Sequence, residues 1–327
     1  MKKKNLKRAI VFSGCLLILL SVFEWALEKG ASYSNYSHFK KINLIAEHKT
    51  DPQIAIFGSS VSEVGISPQI LQSVTGLNAY NFSIDGTRYM QVNGLIKEFG
   101  EYSKDNKVVV LVEYFFTFNP VKQLTEVQRY LSHISNPNIY ESLHEIQPEL
   151  VWKLRYVPFY KFIAMNDQYY KASVMGWKEK WKGDEIFDSA AGYTPKEIQW
   201  DSSLDKVDKS LVENIEINEA LVAEYKKTID LLVSRGKKVF IVLPPIQQEG
   251  RKLVNHLDKL REVLRSFDKD NICFLDYSEI PISSDKQLFY NYSHLNSSGS
   301  MIFSKILAND INARLPKAMN NLVTQSK

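Results

Sequence analysis

The chain has 327 residues, of which 44% are hydrophobic, and a formal net charge of +4. This length and composition fit one large or two small globular domains and exclude a wholly disordered chain. Five of the positive charges lie within the first eight residues, which leaves a net charge of −1 for the rest. The sequence therefore gives no compositional support for nucleic-acid binding, and no nucleic-acid partner is expected.

A long apolar segment follows the basic N-terminus. Residues 9–23 carry no charge, and reading on to residue 27 gives a helix of roughly 28 Å, close to the ~30 Å hydrocarbon core of a bilayer. The basic residues favour an orientation in which the rest of the chain lies outside the cytoplasm. A cleaved signal peptide fits less well, because EWALEKGAS offers only a poor cleavage site. We predict a cytoplasmic basic tip and signal anchor over residues 1–29, which makes this a single-pass protein of the cell membrane.

Residues 30–50 are polar and mixed in composition, which predicts a stalk containing a short helix. The two cysteines, Cys15 and Cys273, fall in the apolar segment and in a predicted core strand, so we expect no disulfide between them. The domain that begins near residue 51 must then be stabilised by its own core, which its size permits.

A regular alternation of apolar strands and helices begins after the stalk. Strands are predicted at 53–57, 79–82, 107–112, 238–243 and 272–276. Helices are predicted at 67–76, 87–102, 217–235, 250–267 and 298–315. Continuous apolar strands that alternate with helices are typical of a parallel sheet covered on both faces. The predicted fold class is therefore α/β, with a doubly wound parallel sheet of about five strands.

An aromatic-rich insertion at about residues 120–215 interrupts this alternation and shows little clean periodicity. Two interpretations remain open. The insertion forms either an additional helical layer that buries its own aromatics, or a cap over the active edge of the sheet with its aromatics facing a ligand.

Candidate catalytic residues lie at the carboxyl ends of the predicted strands, where ligands bind in doubly wound folds. The first strand runs into Gly58-Ser59-Ser60, which places two hydroxyls at this edge. A serine is a weak nucleophile and needs a base within hydrogen-bond reach. Of the six histidines, only His294 lies in a loop between the last strand and the last helix, from which it can reach the same edge.

Three short blocks in this order resemble the SGNH, or GDSL-like, hydrolase family. They read IFGSS at 56–60, NFSIDGT at 81–87 and NYSHLN at 291–296. The resemblance covers about residues 53–115 and 236–315 and is absent from the insertion. It implies a flavodoxin-like, SGNH-type domain over residues 51–316, followed by a tail at 317–327.

The resemblance also implies roles for individual residues. Ser60 takes the position of the nucleophile, and Ser59 stands where many members carry Asp. The backbone N–H groups of Ser60 and Gly86 would form the oxyanion hole. His294 would be the general base, titrating near neutrality, and Asn291 occupies the position of the Asp that orients the histidine.

Two departures from the family pattern bear on activity. The Gly-x-Asn-Asp block is missing, and after the third strand only Asn119 offers a side-chain oxyanion donor. Asn291 cannot stabilise an imidazolium as a carboxylate does, and Asp→Asn in a serine-protease triad lowers the rate by about 10⁴. Three alternatives follow: a Ser60–His294 dyad, a triad completed by another acid such as Asp285, or a catalytically weak site.

The GSS block, the apolar helix and the His-Leu-Asn sequence look most like membrane-anchored members that acylate or deacylate cell-surface polymers. This resemblance implies an extracytoplasmic serine esterase or O-acyltransferase acting on acyl groups of a cell-surface polysaccharide. Its partners would be an acylated glycan or acyl donor and a multi-pass membrane acyltransferase. The alternative is an SGNH-fold binding or scaffold protein with little activity. No cofactor or metal is expected, since a Gly-x-Gly-x-x-Gly run and a P-loop lysine are both missing.

Overall fold

Five short parallel strands form the central sheet in the computed structural model, which describes residues 2–183, 189–205, 210 and 212–315. Its strands are β1 (Ile54–Phe57), β2 (Ala79–Asn81), β3 (Val108–Val112), β5 (Lys238–Leu243) and β7 (Ile272–Asp276), and a separate pair is β4 (Glu213–Asn214) with β6 (Val254–Asn255). The order β2-β1-β3-β5-β7 is the flavodoxin-like arrangement, with its reversal between β1 and β3. The predicted fold class and all five strands are therefore confirmed.

Twelve α-helices surround the sheet in the described part of the chain. They are α1 (Lys2–Tyr33), α2 (Ser37–Ala46), α3 (Ser60–Gly65), α4 (Pro68–Thr75), α5 (Tyr89–Tyr102), α6 (Pro137–Ile146), α7 (Pro148–Tyr156), α8 (Asp167–Lys182), α9 (Glu219–Ser234), α10 (Gln248–Arg251), α11 (Leu257–Arg265) and α12 (Ser297–Arg314). Short 3₁₀ turns at Val127–His133 and Tyr160–Ile163 link the helices of the insertion.

Alternate residues of each strand enter two different hydrophobic cores. Ala55 and Phe57 of β1 join the larger core with residues of α2, α5 and α9. Ile54 and Ile56 join the smaller core with residues of α4 and α12. Both faces of the strands are thus buried, which explains why the strands read as continuous apolar runs in the sequence.

The segment at 30–50 does not form the predicted polar stalk. Its helix, α2, buries Phe39, Ile42 and Ile45 in the larger core, and Lys41 is buried as well. The core role of this helix is hard to recognise in the sequence, because lysines and a histidine are interspersed among its apolar residues. The predicted tail at 317–327 lies outside the described residues.

The helix predicted at 250–267 is also interrupted. It divides into α10 and α11 with the short strand β6 between them. The break lies at His256, whose φ of 67° is left-handed and cannot continue a right-handed helix. His256 is therefore at the start of α11 and not in the middle of a longer helix.

The helix α1 is one uninterrupted element that extends from the basic N-terminus into the folded domain. Its span Lys4–Tyr33 is long and apolar enough to cross a membrane. The final turns pack against α8 of the insertion: Ser173 Oγ donates to the Leu27 carbonyl at 2.8 Å, and Trp177 Nε1 donates to the Ala26 carbonyl at 2.8 Å. The insertion is therefore a helical layer that holds the end of α1.

Close approach of α1 and α8 depends on Gly176. A Cβ at this position would lie 1.8 Å from the Gly30 carbonyl oxygen, a backbone atom that cannot move without separating the helices. We expect Gly176→Ala to lower the free energy of unfolding by about 1–3 kcal/mol through overpacking. Urea denaturation of the full-length protein in detergent measures this change. Gly65→Ala is the matched control, because its Cβ would meet only Leu295 at 3.9 Å. Equal unfolding midpoints for the two variants would contradict this packing.

Candidate active site

The turn between β1 and α3 places two serines at different positions of a helix start. Gly58 precedes them because a Cβ there would lie 3.0 Å from the Val112 carbonyl oxygen of the neighbouring strand. Ser59 is the N-cap residue of α3 with extended backbone, and its carbonyl accepts the Ser62 N–H at 3.1 Å. Ser60 is the first residue of the helix. The absence of a side chain at Gly58 therefore allows β1 and β3 to approach closely. Ser59 and Ser60 occupy different positions at the start of α3.

Ser60 contacts the candidate base directly. Its Oγ lies 2.8 Å from Nε2 of His294, across 234 residues of sequence. The other ring nitrogen, Nδ1, lies 3.0 Å from Oδ1 of Asn291. The structure thus brings together Ser60, His294 and Asn291, three of the residues singled out in the sequence, in the linear order of a nucleophile, a base and an orienting group.

The orientation of the Asn291 amide determines the tautomer of the ring. Its Oδ1 accepts the backbone N–H of Ser293 at 3.0 Å and that of His294 at 2.9 Å. A backbone N–H only donates, so the atom that faces the ring is the amide oxygen. Ser293 Oγ also lies 3.0 Å from Nδ1, but its hydroxyl donates to the same Asn291 oxygen. The neutral ring therefore carries its proton on Nδ1 and leaves Nε2 free to accept the Ser60 hydroxyl proton. Asn291 selects the productive tautomer without supplying a charge.

The environment of His294 favours the neutral ring. Burial lowers its pKa to about 4, and the only opposing influence is the negative charge of Asp85. Tyr290 stacks on the ring with centroids 5.3 Å apart and contributes to this burial. This value lies below the one expected for a base that titrates near neutrality, because burial disfavours the imidazolium.

The two backbone N–H groups predicted to form the oxyanion hole belong to residues that line the site. Gly86 lies in the turn after Asp85 with φ of 73° and lines the same cavity as Ser60. Among the described residues, no hydrogen-bond acceptor takes the backbone N–H of Ser60 or of Gly86. Both donors are therefore available for an oxyanion.

Asn119 and Asp285 do not reach this position. The Asn119 side chain donates to the Asn214 carbonyl at 3.2 Å and accepts the Glu216 N–H at 2.9 Å, so it fastens a loop. It lines neither of the cavities that contain Ser60. Asp285 is exposed, and its carboxylate accepts the Gln287 N–H at a 3₁₀ turn. Neither the oxyanion role of Asn119 nor the orienting role of Asp285 fits this geometry.

Two cavities of different character meet at Ser60, Asp85 and His294. The polar cavity, of about 560 Å³, is also lined by His38, Lys40, Lys41, Tyr193 and Lys196. The aromatic cavity, of about 440 Å³, is also lined by Tyr114, Phe115, Phe116, Leu253 and Tyr292. These aromatics follow β3 or precede His294, so the aromatic wall does not come from the insertion. The insertion instead contributes Tyr193 and Lys196 to the polar cavity.

Glu63 is a buried residue of α3 that the sequence motifs did not indicate. Its carboxylate accepts hydrogen bonds from Lys41 Nζ at 3.0 Å, from His38 Nε2 at 3.1 Å and from the Asp85 N–H at 2.9 Å. Burial alone would raise its pKa, but the His38 hydrogen bond and the Lys41 charge lower it to about 2. Glu63 therefore connects the helix that begins at Ser60 to the turn that carries Gly86.

No metal site accompanies these residues in the described ranges, where no group of three or more His, Cys, Asp and Glu side chains could hold a metal ion.

Comparisons with known proteins identify no family for this chain. No family model and no curated protein matches its sequence. A solved structure from Streptococcus pneumonia, provisionally described as a platelet activating factor, is similar over 90% of this chain and 99% of its own, with a TM-score of 0.42 and 11% sequence identity. At these values the similarity assigns neither an activity nor a substrate.

A carboxylate beside His294 should change its pKa and the reactivity of Ser60. In Asn291→Asp the new charge favours the imidazolium, so the pKa of His294 should rise from about 4 towards its ordinary value. The rate of Ser60 modification by a fluorophosphonate should increase by at least about 10-fold, with ~10⁴ as the upper bound. It should also fall off at a higher pH than in the wild type, because the base is protonated earlier as pH decreases. A pH–rate profile identical to that of the wild type would contradict this account of the site.

Removing the charge of Glu63 should destabilise the domain and slow the same modification. Glu63→Gln removes the carboxylate that neutralises the buried Lys41 ammonium, which we expect to cost about 3–5 kcal/mol of unfolding free energy. The double variant Glu63→Gln/Lys41→Met should lose less, since no buried charge remains. Glu149→Gln is the control, because Glu149 is exposed and should give no measurable change. Urea denaturation measures stability, and a Glu63→Gln variant as stable as this control would exclude the connecting role.

Proposed function

We propose that this protein is a membrane-anchored, extracytoplasmic serine esterase or O-acyltransferase that acts on acyl groups of a cell-surface polysaccharide. The observation that carries the proposal is the hydrogen-bonded series Ser60 Oγ, His294 Nε2, His294 Nδ1 and Asn291 Oδ1. A serine hydroxyl aligned with the unprotonated nitrogen of a buried histidine is the arrangement that acyl transfer to serine requires.

The reaction begins with attack of Ser60 Oγ on the carbonyl carbon of an acyl ester, while the hydroxyl proton moves to His294 Nε2. The N–H groups of Ser60 and Gly86 donate to the resulting oxyanion. The ester C–O bond then breaks, and the leaving alcohol takes the proton from Nε2, which leaves an acyl-enzyme. Water or a sugar hydroxyl attacks this intermediate and gives its proton to the same nitrogen. The bond between the acyl carbon and Ser60 Oγ then breaks, Oγ takes the proton back from Nε2, and the acyl group leaves as an acid or as a new ester.

The two cavities suggest how the two parts of such a substrate are bound. The aromatic cavity, with Tyr114, Phe115 and Phe116, offers apolar contact to an acyl group. The polar cavity, with Lys40, Tyr193 and other hydrogen-bonding groups, suits a hydroxyl-rich glycan. Since both cavities open onto Ser60, an acyl donor and a glycan acceptor can approach the serine from opposite sides. Transfer is thus as compatible with the geometry as hydrolysis.

The packing of α1 supports an anchor that stays attached. Cleavage near residue 30 would remove the Ala26 and Leu27 carbonyls that accept from Trp177 and Ser173. It would also remove Leu27 from the larger hydrophobic core, of which Ala31 is a neighbouring member. A signal peptide is discarded without loss to the mature fold, whereas this helix contributes contacts to it. We therefore include membrane anchorage through α1 in the proposal.

The partners of this proposal are an acylated glycan or acyl donor and a multi-pass membrane acyltransferase. An anchor would hold the site close to the extracytoplasmic surface of the cell membrane, where a membrane-embedded enzyme could deliver acyl groups to it.

A binding or scaffold role is the second candidate, and Asn291 is the observation that favours it. A neutral amide does not stabilise the imidazolium that forms when His294 accepts the serine proton. Together with a pKa of about 4, this makes His294 a weak base. A protein of this kind would bind the acylated polymer in the same two cavities without rapid turnover.

Fluorophosphonate labelling followed by peptide mapping tests the proposal at the reacting atom. We expect modification at Ser60 alone, because its Oγ bonds Nε2 of His294, the ring nitrogen that is free to accept a proton. Ser59→Ala is the matched control and should still be labelled, since Ser59 is one residue away in the same turn. His294→Ala should slow labelling by about 10²–10⁴-fold.

Turnover of acetyl and longer acyl esters separates the two candidate functions. The wild type should show esterase activity that Ser60→Ala abolishes. Wild-type turnover no higher than that of Ser60→Ala, with every ester tried, would favour the scaffold role.

A further inference from the structure

The insertion contains a segment with an unusual combination of aromatic and basic residues. Residues 152–163, WKLRYVPFYKFI, include five aromatics and three basic residues and have no acidic residue. The segment comprises the end of α7 and the following 3₁₀ turn, and it is referred to below as the aromatic-basic segment. Its composition resembles that of protein surfaces at membrane–water interfaces, where amphipathic rings and cations are enriched.

The aromatic-basic segment contacts α1 near the end of the apolar run of that helix. Phe162 stacks on Phe23 with ring centroids 6.0 Å apart, and Lys161 forms an ion pair with Glu28. These contacts lie within about one helical turn of residue 27, where the predicted span ends. A bilayer that contains the apolar run of α1 would therefore have its outer surface at the level of the segment.

Large apolar side chains of the segment remain exposed at this level. Trp152, Tyr156 and Ile163 are 49%, 54% and 64% exposed, although each is large enough to be a core residue. Phe159 has a φ of 63°, a conformation that is strained for a bulky residue. Such strain persists where surrounding contacts enforce it, and Phe159 stacks on Phe162, the residue that contacts Phe23 of α1.

We propose that the aromatic-basic segment is a second membrane-contacting surface, inserted among the headgroups of anionic lipids beside α1. The inference rests on the membrane anchorage in the proposed function. Three observations favour lipid over a protein partner: the continuity of the surface with the apolar run of α1, the absence of acidic residues, and the pairing of aromatic rings with cations. Arg155 lies 5.3 Å from the exposed Tyr156 ring, and Lys153 lies 5.7 Å from the half-buried Tyr160 ring.

This surface would fix how the catalytic domain is oriented on the membrane. A single helix alone permits rotation and tilt, whereas a second contact beside it restricts both. The insertion, which supplies none of the aromatic wall of the site, then has a function of its own. It holds the edge of the sheet that carries Ser60 at a constant height above the lipid.

Site-specific fluorescence quenching in vesicles tests this inference with the full-length protein. Cys15 and Cys273 are first replaced by alanine, and a polarity-sensitive fluorophore is attached to Ile163→Cys, Ile18→Cys or Met301→Cys. Ile18 lies at the middle of the apolar run, and Met301 is a matched control, 57% exposed on α12. The vesicles contain phosphatidylcholine and phosphatidylglycerol, with bromine either near the headgroup or near the end of the acyl chains. Unfolding midpoints confirm that each variant is folded.

We expect loss of fluorescence at position 163 with bromine near the headgroup, at position 18 with bromine deep in the chains, and at position 301 with neither. Quenching at 18 without quenching at 163 would overturn the inference and leave the anchor intact. Absence of quenching at both positions would overturn the anchorage itself, and the inference with it. Quenching of 163 by aqueous iodide to the same extent as 301 would also overturn the inference, because the side chain would then face water.

Discussion

The amide oxygen of Asn291 determines the geometry on which the site depends. It accepts two backbone N–H groups of its own loop and the Nδ1–H of His294, so one atom fixes both the loop and the ring. Nε2 of the same ring lies 2.8 Å from Oγ of Ser60, a residue that is distant in the sequence. Because the amide is neutral, orientation is separated here from charge stabilisation, two tasks that a carboxylate performs together. His294 is consequently neutral over a wide pH range but a weak base.

The buried carboxylate of Glu63 connects the start of α3, which carries Ser60, to the turn that contains Gly86. Glu63 stands one turn after Ser60 on α3 and holds the Asp85 N–H, next to Gly86. Its carboxylate forms an ion pair with Lys41 and a hydrogen bond with His38, both on α2, the helix that follows α1. Helix α2, which lies between α1 and β1 in the chain, is therefore connected through Glu63 to the turn that carries Gly86. Helix α1, the insertion and the edge of the sheet that carries Ser60 form one connected structure.

The sequence predicted the fold better than the surroundings of the site. Parallel strands that are buried on both faces read as apolar runs, so all five were found close to their observed limits. Ser60 and His294 could be selected because topology places strand ends and the last loop at one edge. Glu63 gave no signal, since its partners lie on other elements and a carboxylate on a short helix usually faces solvent. The core role of α2 was hidden by its lysines, one of which is buried against Glu63. The break at His256 depends on a left-handed residue that composition does not reveal.

The tautomer and pKa of His294 are the quantities that test this account most directly. Nitrogen NMR of full-length protein labelled at its six histidines, with His294 assigned by comparison with a His294→Gln variant, reports both. The structure predicts a neutral ring at pH 7 with its proton on Nδ1, and an onset of protonation only near pH 4. A ring protonated on both nitrogens at pH 7, or one whose proton resides on Nε2, would contradict a Ser60 hydroxyl that donates to Nε2.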